Sequence, residues 1–165
     1  MKALSLFIAF PVLLILIWIS LSNAKPSLQA GAITFEELTT RGDDSFSIQT
    51  QMDIPKGSII RFTDSEWNGN RFGADEGDIV WNSGNNVIPA GTLVIFQLQD
   101  SGTTVTHGSA YGTMRLSNER EALFAYVGSL RLPTGFLAVI SNDTLAYGTL
   151  LNTGLVNTSA AVTFQ

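Results

Sequence analysis

The chain has no cysteine among its 165 residues, so no disulfide can staple it and no thiolate can serve as nucleophile or metal ligand. It has one histidine, His107. Cys/His zinc sites are thereby excluded, and a Ser-His-Asp triad would have to be built around that single ring. No Gly-x-Ser-x-Gly elbow accompanies it, and His107 sits in the Gly- and Thr-rich stretch Thr104-Val105-Thr106-His107-Gly108-Ser109, which reads as an ordinary loop or strand end. Positive charge is scarce as well: 9 Lys and Arg stand against 14 Asp and Glu, a net of −5. The bases are scattered, which leaves no footprint for nucleic acid or for an anionic lipid surface. After residue 25 no apolar run of helical period exists, so helices are not expected to build the core.

One long hydrophobic run is present, at the start. Lys2 precedes Leu4-Ser5-Leu6-Phe7-Ile8-Ala9-Phe10 and Val12-Leu13-Leu14-Ile15-Leu16-Ile17-Trp18-Ile19, and Ser22-Asn23-Ala24 supplies the small residues of a cleavage site. This is the pattern of a secretory signal peptide over 1–24, cleaved after Ala24, with 25–29 as a short linker. The run is about 18 residues long, so an uncleaved membrane anchor is the competing reading, and the chain meets a membrane only in that case. Both place residue 25 onward outside the cytosol, secreted or at the cell surface. Loss of the signal removes Lys2 alone and leaves 8 basic and 14 acidic residues, a net of −6.

Residues 30–165 read as strands separated by Gly, Pro, Asn and Asp. Ala32–Phe35 opens the domain. Ser45–Met52 alternates, with Phe46, Ile48, Thr50 and Met52 on one face and Ser45, Ser47, Gln49 and Gln51 on the other. Further strands are expected at 58–63, 78–81, 92–98, 103–106, 122–127, 136–140 and 161–164. Ile54-Pro55-Lys56-Gly57, Ile88-Pro89-Ala90-Gly91 and Leu132-Pro133-Thr134-Gly135 each precede an apolar strand. Pro fixes φ and Gly permits φ > 0, so each copy predicts a tight turn that launches a buried strand. Many short strands with such punctuation predict a single antiparallel β-sandwich.

Gly31-Ala32-Ile33-Thr34-Phe35, Gly42-Asp43-Asp44-Ser45-Phe46, Ile54-Pro55-x-Gly57, Phe62-Thr63-Asp64-x-Glu66-Trp67-Asn68-Gly69 and Glu76-Gly77 come in the order found in β-sandwich modules of secreted and surface-anchored bacterial proteins. The chain also resembles lamin-tail domains, which are immunoglobulin-like sandwiches with an apolar–Pro–Gly turn before a central strand. The resemblance implies a non-catalytic extracellular module for adhesion, display or assembly, with an extracellular protein or glycan as partner. The 165 residues show no sorting segment or second copy, so their end at Phe164-Gln165 is read either as a minimal member or as a domain truncated at its C-terminal strand, the latter leaving an edge for a partner's strand.

The segment from Asp64 to Asp75 places oxygen-bearing side chains at Asp64, Glu66, Asn68, Asn70 and Asp75, with Gly69 at the sixth place. That spacing approaches a calcium loop, because a hard cation needs several oxygens around a sharp glycine turn. Arg71 and the short Asp75 depart from the pattern. A polar turn whose carboxylates bond their own backbone is the alternative. Trp67 is the better candidate of the two nearby tryptophans for exposure and sugar stacking, while Trp81 follows Ile79-Val80 in a strand and is expected to pack. A carbohydrate- or calcium-binding module is therefore the second functional reading. A secreted hydrolase with a carboxylate pair is the third. Arg41-Gly42-Asp43 spells an Arg-Gly-Asp triplet, but such triplets recur by chance and its Gly-Asp belongs to a turn, so integrin-like recognition is not expected. Asn142 and Asn157 head sequons that would accept glycans in a eukaryotic host. If the 64–75 loop holds calcium, adding the ion raises the melting temperature and chelation lowers it. An unchanged melting curve leaves a plain polar turn.

Overall fold

A computed structural model describes residues 27–74, 76–143 and 146–155, and the backbone alone of 161–163. The segment read as a signal peptide, Asp75 and the Asn157 sequon lie outside the described residues. Ten strands follow in order: β1 (Ile33–Thr39), β2 (Ser45–Thr50), β3 (Ile59–Thr63), β4 (Asp78–Asn82), β5 (Leu93–Gln99), β6 (Gly102–Val105), β7 (Ser109–Thr113), β8 (Ala122–Ser129), β9 (Leu132–Ser141) and β10 (Ala161–Thr163). No helix occurs among the described residues. The strands form a four-stranded sheet, β1-β2-β5-β6, and a six-stranded sheet, β10-β9-β8-β3-β4-β7. Every pairing is antiparallel except β9 with β10. The all-β, two-sheet expectation holds.

Two aromatic layers organise the packing. Between the sheets, Phe46 and Phe96 of the small sheet stack at 4.5 Å, and Phe62 of the large sheet sits 4.9 and 5.0 Å from them. Phe35 and Trp81 close this layer edge-on. The second layer lies on the other face of the large sheet. Phe62 pairs with Ala125 across β3 and β8, so the flanking Phe124 and Tyr126 point away from the inter-sheet core. Trp67 and Phe72 lie over them: Phe72 is 5.3 Å from Phe124 and 5.2 Å from Tyr126, and Trp67 is 4.9 Å from Phe136 of β9. No ring contact joins the two layers among the described residues. A sheet covered on both faces should show unbroken burial in place of alternation. It does, in Ala122–Tyr126 and again in Phe136–Ser141.

Several expectations change. Leu132-Pro133-Thr134-Gly135 is no turn: it opens β9 and pairs with β8, Gly135 opposite Val127. The two other copies are turns, with Gly57 at φ +66° and Gly91 at +82°, and with Ser58 and Thr92 donating back to the Pro55 and Pro89 carbonyls. The β9 extension is possible because β8 runs on to Ser129 and offers it a partner. Strand β7 escaped the sequence reading. It is an edge strand, largely exposed, with Gly112 at φ +101°, so it carries neither alternation nor a β-branched run. On β2, Ser47 is buried along with Phe46 and Ile48, and the strand stops at Thr50, before Met52. Trp81 is buried, as expected, and its Nε1 donates to the His107 carbonyl at 2.7 Å.

Trp67 is 5% exposed, and its Nε1 donates to the Leu151 carbonyl at 2.8 Å. The expectation of an exposed ring is therefore corrected: the flat β8–β9 surface needs an apolar cover, and Trp67 with Phe72 provides it. Replacing Trp67 by Ala should cost about 3–5 kcal/mol, the loss expected of a buried aromatic. Urea denaturation measures it. A loss within about 0.5 kcal/mol would place the ring at the surface.

Candidate functional site

The segment that carries Trp67 and Phe72 begins where β3 ends and returns at β4, so one end of the sandwich is built from its two stems. Thr63 Oγ1 donates to the Gly77 carbonyl at 2.8 Å and holds the stems together. Gly77 passes so close to Met114 that an added Cβ would collide with the Met114 Cβ and backbone. The first residues after β3, Asp64 and Ser65, are buried. Asp64 Oδ1 and Ser65 Oγ are the buried side-chain atoms that lack a hydrogen-bond partner among the described residues.

Opposite them, the segment before β8 is fixed by one carboxylate. Glu121 Oε2 accepts the Ser117 N–H at 2.5 Å and Oε1 accepts the Ala122 N–H at 3.0 Å. Asn142 completes the loop: its Oδ1 accepts the Glu121 N–H and its Nδ2 donates to the Ser117 carbonyl. The sequon asparagine is thus committed to holding this loop. Between the two walls lies a cleft of about 540 Å³, lined by Asp64, Glu76, Gly77, Met114, Ser117 and Glu121 among others. A second hollow of about 590 Å³ adjoins it and is lined by Asp43 and Asp44. The Arg115–Asp100 ion pair, 2.8 Å and exposed on both sides, lines both hollows. Six of the chain's 14 acidic residues line these hollows, against Arg115 as the one basic residue lining them.

The four described residues of those expected around a calcium ion are not gathered. Asp64 is in the cleft, whereas Glu66, Asn68 and Asn70 are exposed on a turn. Asn68 Oδ1 accepts the N–H groups of Asn70 and Arg71, both at 3.0 Å, which is the self-bonded polar turn of the alternative reading. The carbonyls of Ala74 and Glu76 accept from the Arg131 guanidinium at 2.6 and 3.1 Å, and Arg131 Nε meets Asp78 Oδ2 at 3.2 Å. A side-chain cation therefore already occupies the inner oxygens of this segment. Among the described residues no three acidic or histidine side chains lie close enough to hold a metal ion. Arg41, Gly42 and Asp43 are exposed on the β1–β2 turn at the cleft end, and His107 is exposed beside the β6–β7 junction at the other. Glu121, which faces Asp64 across 57 positions of sequence, was missed: the pairing is made by β3 and β8 lying side by side, and no local motif announces it.

No protein family, curated protein or solved structure matches this chain.

Burial raises the Asp64 carboxyl from 3.8 to about 6; backbone hydrogen bonding at Asp64 and Gly77 opposes this, Asp78 adds to it, and Arg131 relieves it. Burial likewise raises Glu121 from 4.5 to about 7, with the Ser117 and Ala122 N–H groups opposing and the Asp64 and Glu76 charges adding. Asp78 is also raised by burial, against the pull of Arg131 and Arg61. Groups raised in the folded state stabilise it fully below their unfolded values, and that stability is lost as pH rises through the folded ones. The melting temperature should therefore fall as pH is raised from 4.5 through about 7. Asp64→Asn should flatten the part of the fall centred near pH 6. A melting temperature that rises over this interval would contradict the burial of both carboxylates.

Proposed function

We propose that this chain is an exported, non-catalytic module for adhesion, display or assembly, in an immunoglobulin- or lamin-tail-like sandwich, and that it grips its partner at the acid-lined end. The observation that carries the reading is the convergence at that end of the β1–β2 turn, the 64–77 segment and the 114–121 segment around two adjoining hollows. Loops held by a rigid sandwich are free to specialise, and binding tends to settle on them. The hydrolase reading has one observation in its favour, since Asp64 and Glu121 line one cleft and both have raised pKa values. Glu121, however, accepts a backbone N–H at each oxygen, which suits a loop fastener better than a proton donor.

The absence of cysteine makes a direct test available, because a single introduced thiol is a unique handle. Gln99 is exposed and lines both hollows; Asn86 is exposed at the opposite end. The full chain is produced with its own leader, and the extracellular product should begin at Lys25 by mass spectrometry. Gln99→Cys and Asn86→Cys proteins are then conjugated to a bulky maleimide and added to cells of the source, with bound protein counted by flow cytometry. Conjugation at Gln99 should abolish binding and conjugation at Asn86 should leave it intact. Equal binding by both conjugates moves the working surface elsewhere, and no binding by the unmodified chain removes the adhesive role.

A further inference from the structure

The cleft has a chemical character that narrows its ligand. It is lined by carboxylates, and the chain around it is acidic. Asp64, 7% exposed, is among its lining residues, and its buried Oδ1 lacks a hydrogen-bond partner among the described residues. A buried polar group is expected to be paired, so an orphan carboxylate oxygen at a cleft points to a donor supplied from outside. Glu121 cannot play this part, since both its oxygens are engaged. Among the described residues no three acidic side chains approach closely enough to hold a bare metal ion, which favours an organic cation. The volume of about 540 Å³ is that of a small organic group, and the buried Met114 gives it an apolar wall. The same neighbourhood already accepts guanidinium groups twice, Arg115 on Asp100 at the rim and Arg131 on Asp78 behind the 74–77 segment.

We propose that the cleft binds an aliphatic cation, a guanidinium or ammonium group at the end of an alkyl stem, with Asp64 as its anchoring carboxylate and Met114 as the wall against its stem. The charged head suits a desolvated carboxylate whose Oδ1 makes no hydrogen bond of its own among the described residues, and the stem covers apolar surface as lysine and arginine stems do. The assignment rests on the cleft being the working surface.

Methyl resonances of methionine test it in the full chain, with Met114 as the reporter in the cleft and Met52, outside it, as the internal control. Agmatine and cadaverine should shift the Met114 methyl saturably at millimolar concentration and leave Met52 in place. Asp64→Asn should raise the half-saturation concentration by about tenfold or more. Gln99→Lys, an exposed change at the rim, should weaken binding too by tethering a competing ammonium, and it reports even if the Asp64 variant does not fold. A Gly-Arg-Gly amide that binds tighter than agmatine assigns the cation to a polypeptide; the reverse order assigns it to a free amine. The proposal is overturned by an absent or unsaturable shift, by equal shifts at Met52, or by calcium chloride acting at lower concentration than either amine. A cleft that ignores both amines while a label at Gln99 still blocks cell binding loses its ligand class and keeps its role as the working surface.

Discussion

The central constraint in this fold is that the β3–β8–β9 region of the large sheet is buried on both faces without a helix to cover it. One face is closed by the small sheet through Phe46 and Phe96. The other is closed by a loop, because among the described residues the remaining cover for Phe124, Tyr126 and Phe136 is Trp67, Phe72 and the 146–155 segment, whose Leu155 is fully buried. In a chain with no disulfide, this loop cannot be left loose. Exposed aromatic surface of that extent would cost several kcal/mol, and it would be an aggregation site. The ring contacts that close the outer layer each add about 0.5–1.5 kcal/mol to area burial, so the cover is fixed by the same interactions that it shields.

That constraint carries directly into the cleft. A loop pinned at Trp67 and Phe72 has to leave β3 and rejoin β4 along a set path, and the stems of that path are Asp64 and Gly77. Arg131 secures the return. It is held at φ +59°, a backbone conformation with its own cost, and its guanidinium reaches Ala74, Glu76 and Asp78 at once. The Arg131–Asp78 contact is partly buried and reinforced by two carbonyls, which sets it apart from the exposed Arg115–Asp100 pair, whose contribution to stability is about 0–1 kcal/mol. The first acts as a structural clamp. The second stands at the mouth of the cleft, where the proposed ligand would displace a weak pair at little cost.

Much of the fold was legible in the sequence, and the reasons are local. The Ser45–Thr50 alternation and the Pro-x-Gly turns at 55–57 and 89–91 are properties of a few adjacent residues, and they were read correctly as strand and turn. Apart from β7, whose own residues carry no strand pattern, the failures are non-local. Pro133-Thr134-Gly135 has the composition of a turn, yet β8 extends alongside and gives those residues a partner. Trp67 in a polar, glycine-rich stretch looks like a surface ring until Phe124 and Phe136 are seen to need a cover. Asp64 was singled out for a spacing that suggested calcium, and it does line the cleft, but its neighbours in that spacing turn outward. Glu121 was invisible, since its relation to Asp64 is made by sheet order. The continuous apolar runs at 122–127 and 136–140 were the one available clue to double-sided burial, because a strand with a wet face alternates.

Asp64 stands where local and global demands conflict. A carboxylate buried without full pairing is destabilising, and an asparagine or an apolar residue of similar size would spare that cost. Ser65, next to it, adds a second orphan atom at the same place. Elsewhere the molecule satisfies its buried polar groups thoroughly: Thr50, Thr63, Ser58, Ser83 and Ser141 each have partners. Two adjacent failures in an otherwise satisfied interior do not reflect a generally loose fold. They concentrate at the one end where loops converge, where like charges gather and where an ion pair bars the opening. Local inconsistency of this kind, confined to a cleft, is the cost in stability that the proposed binding role would account for.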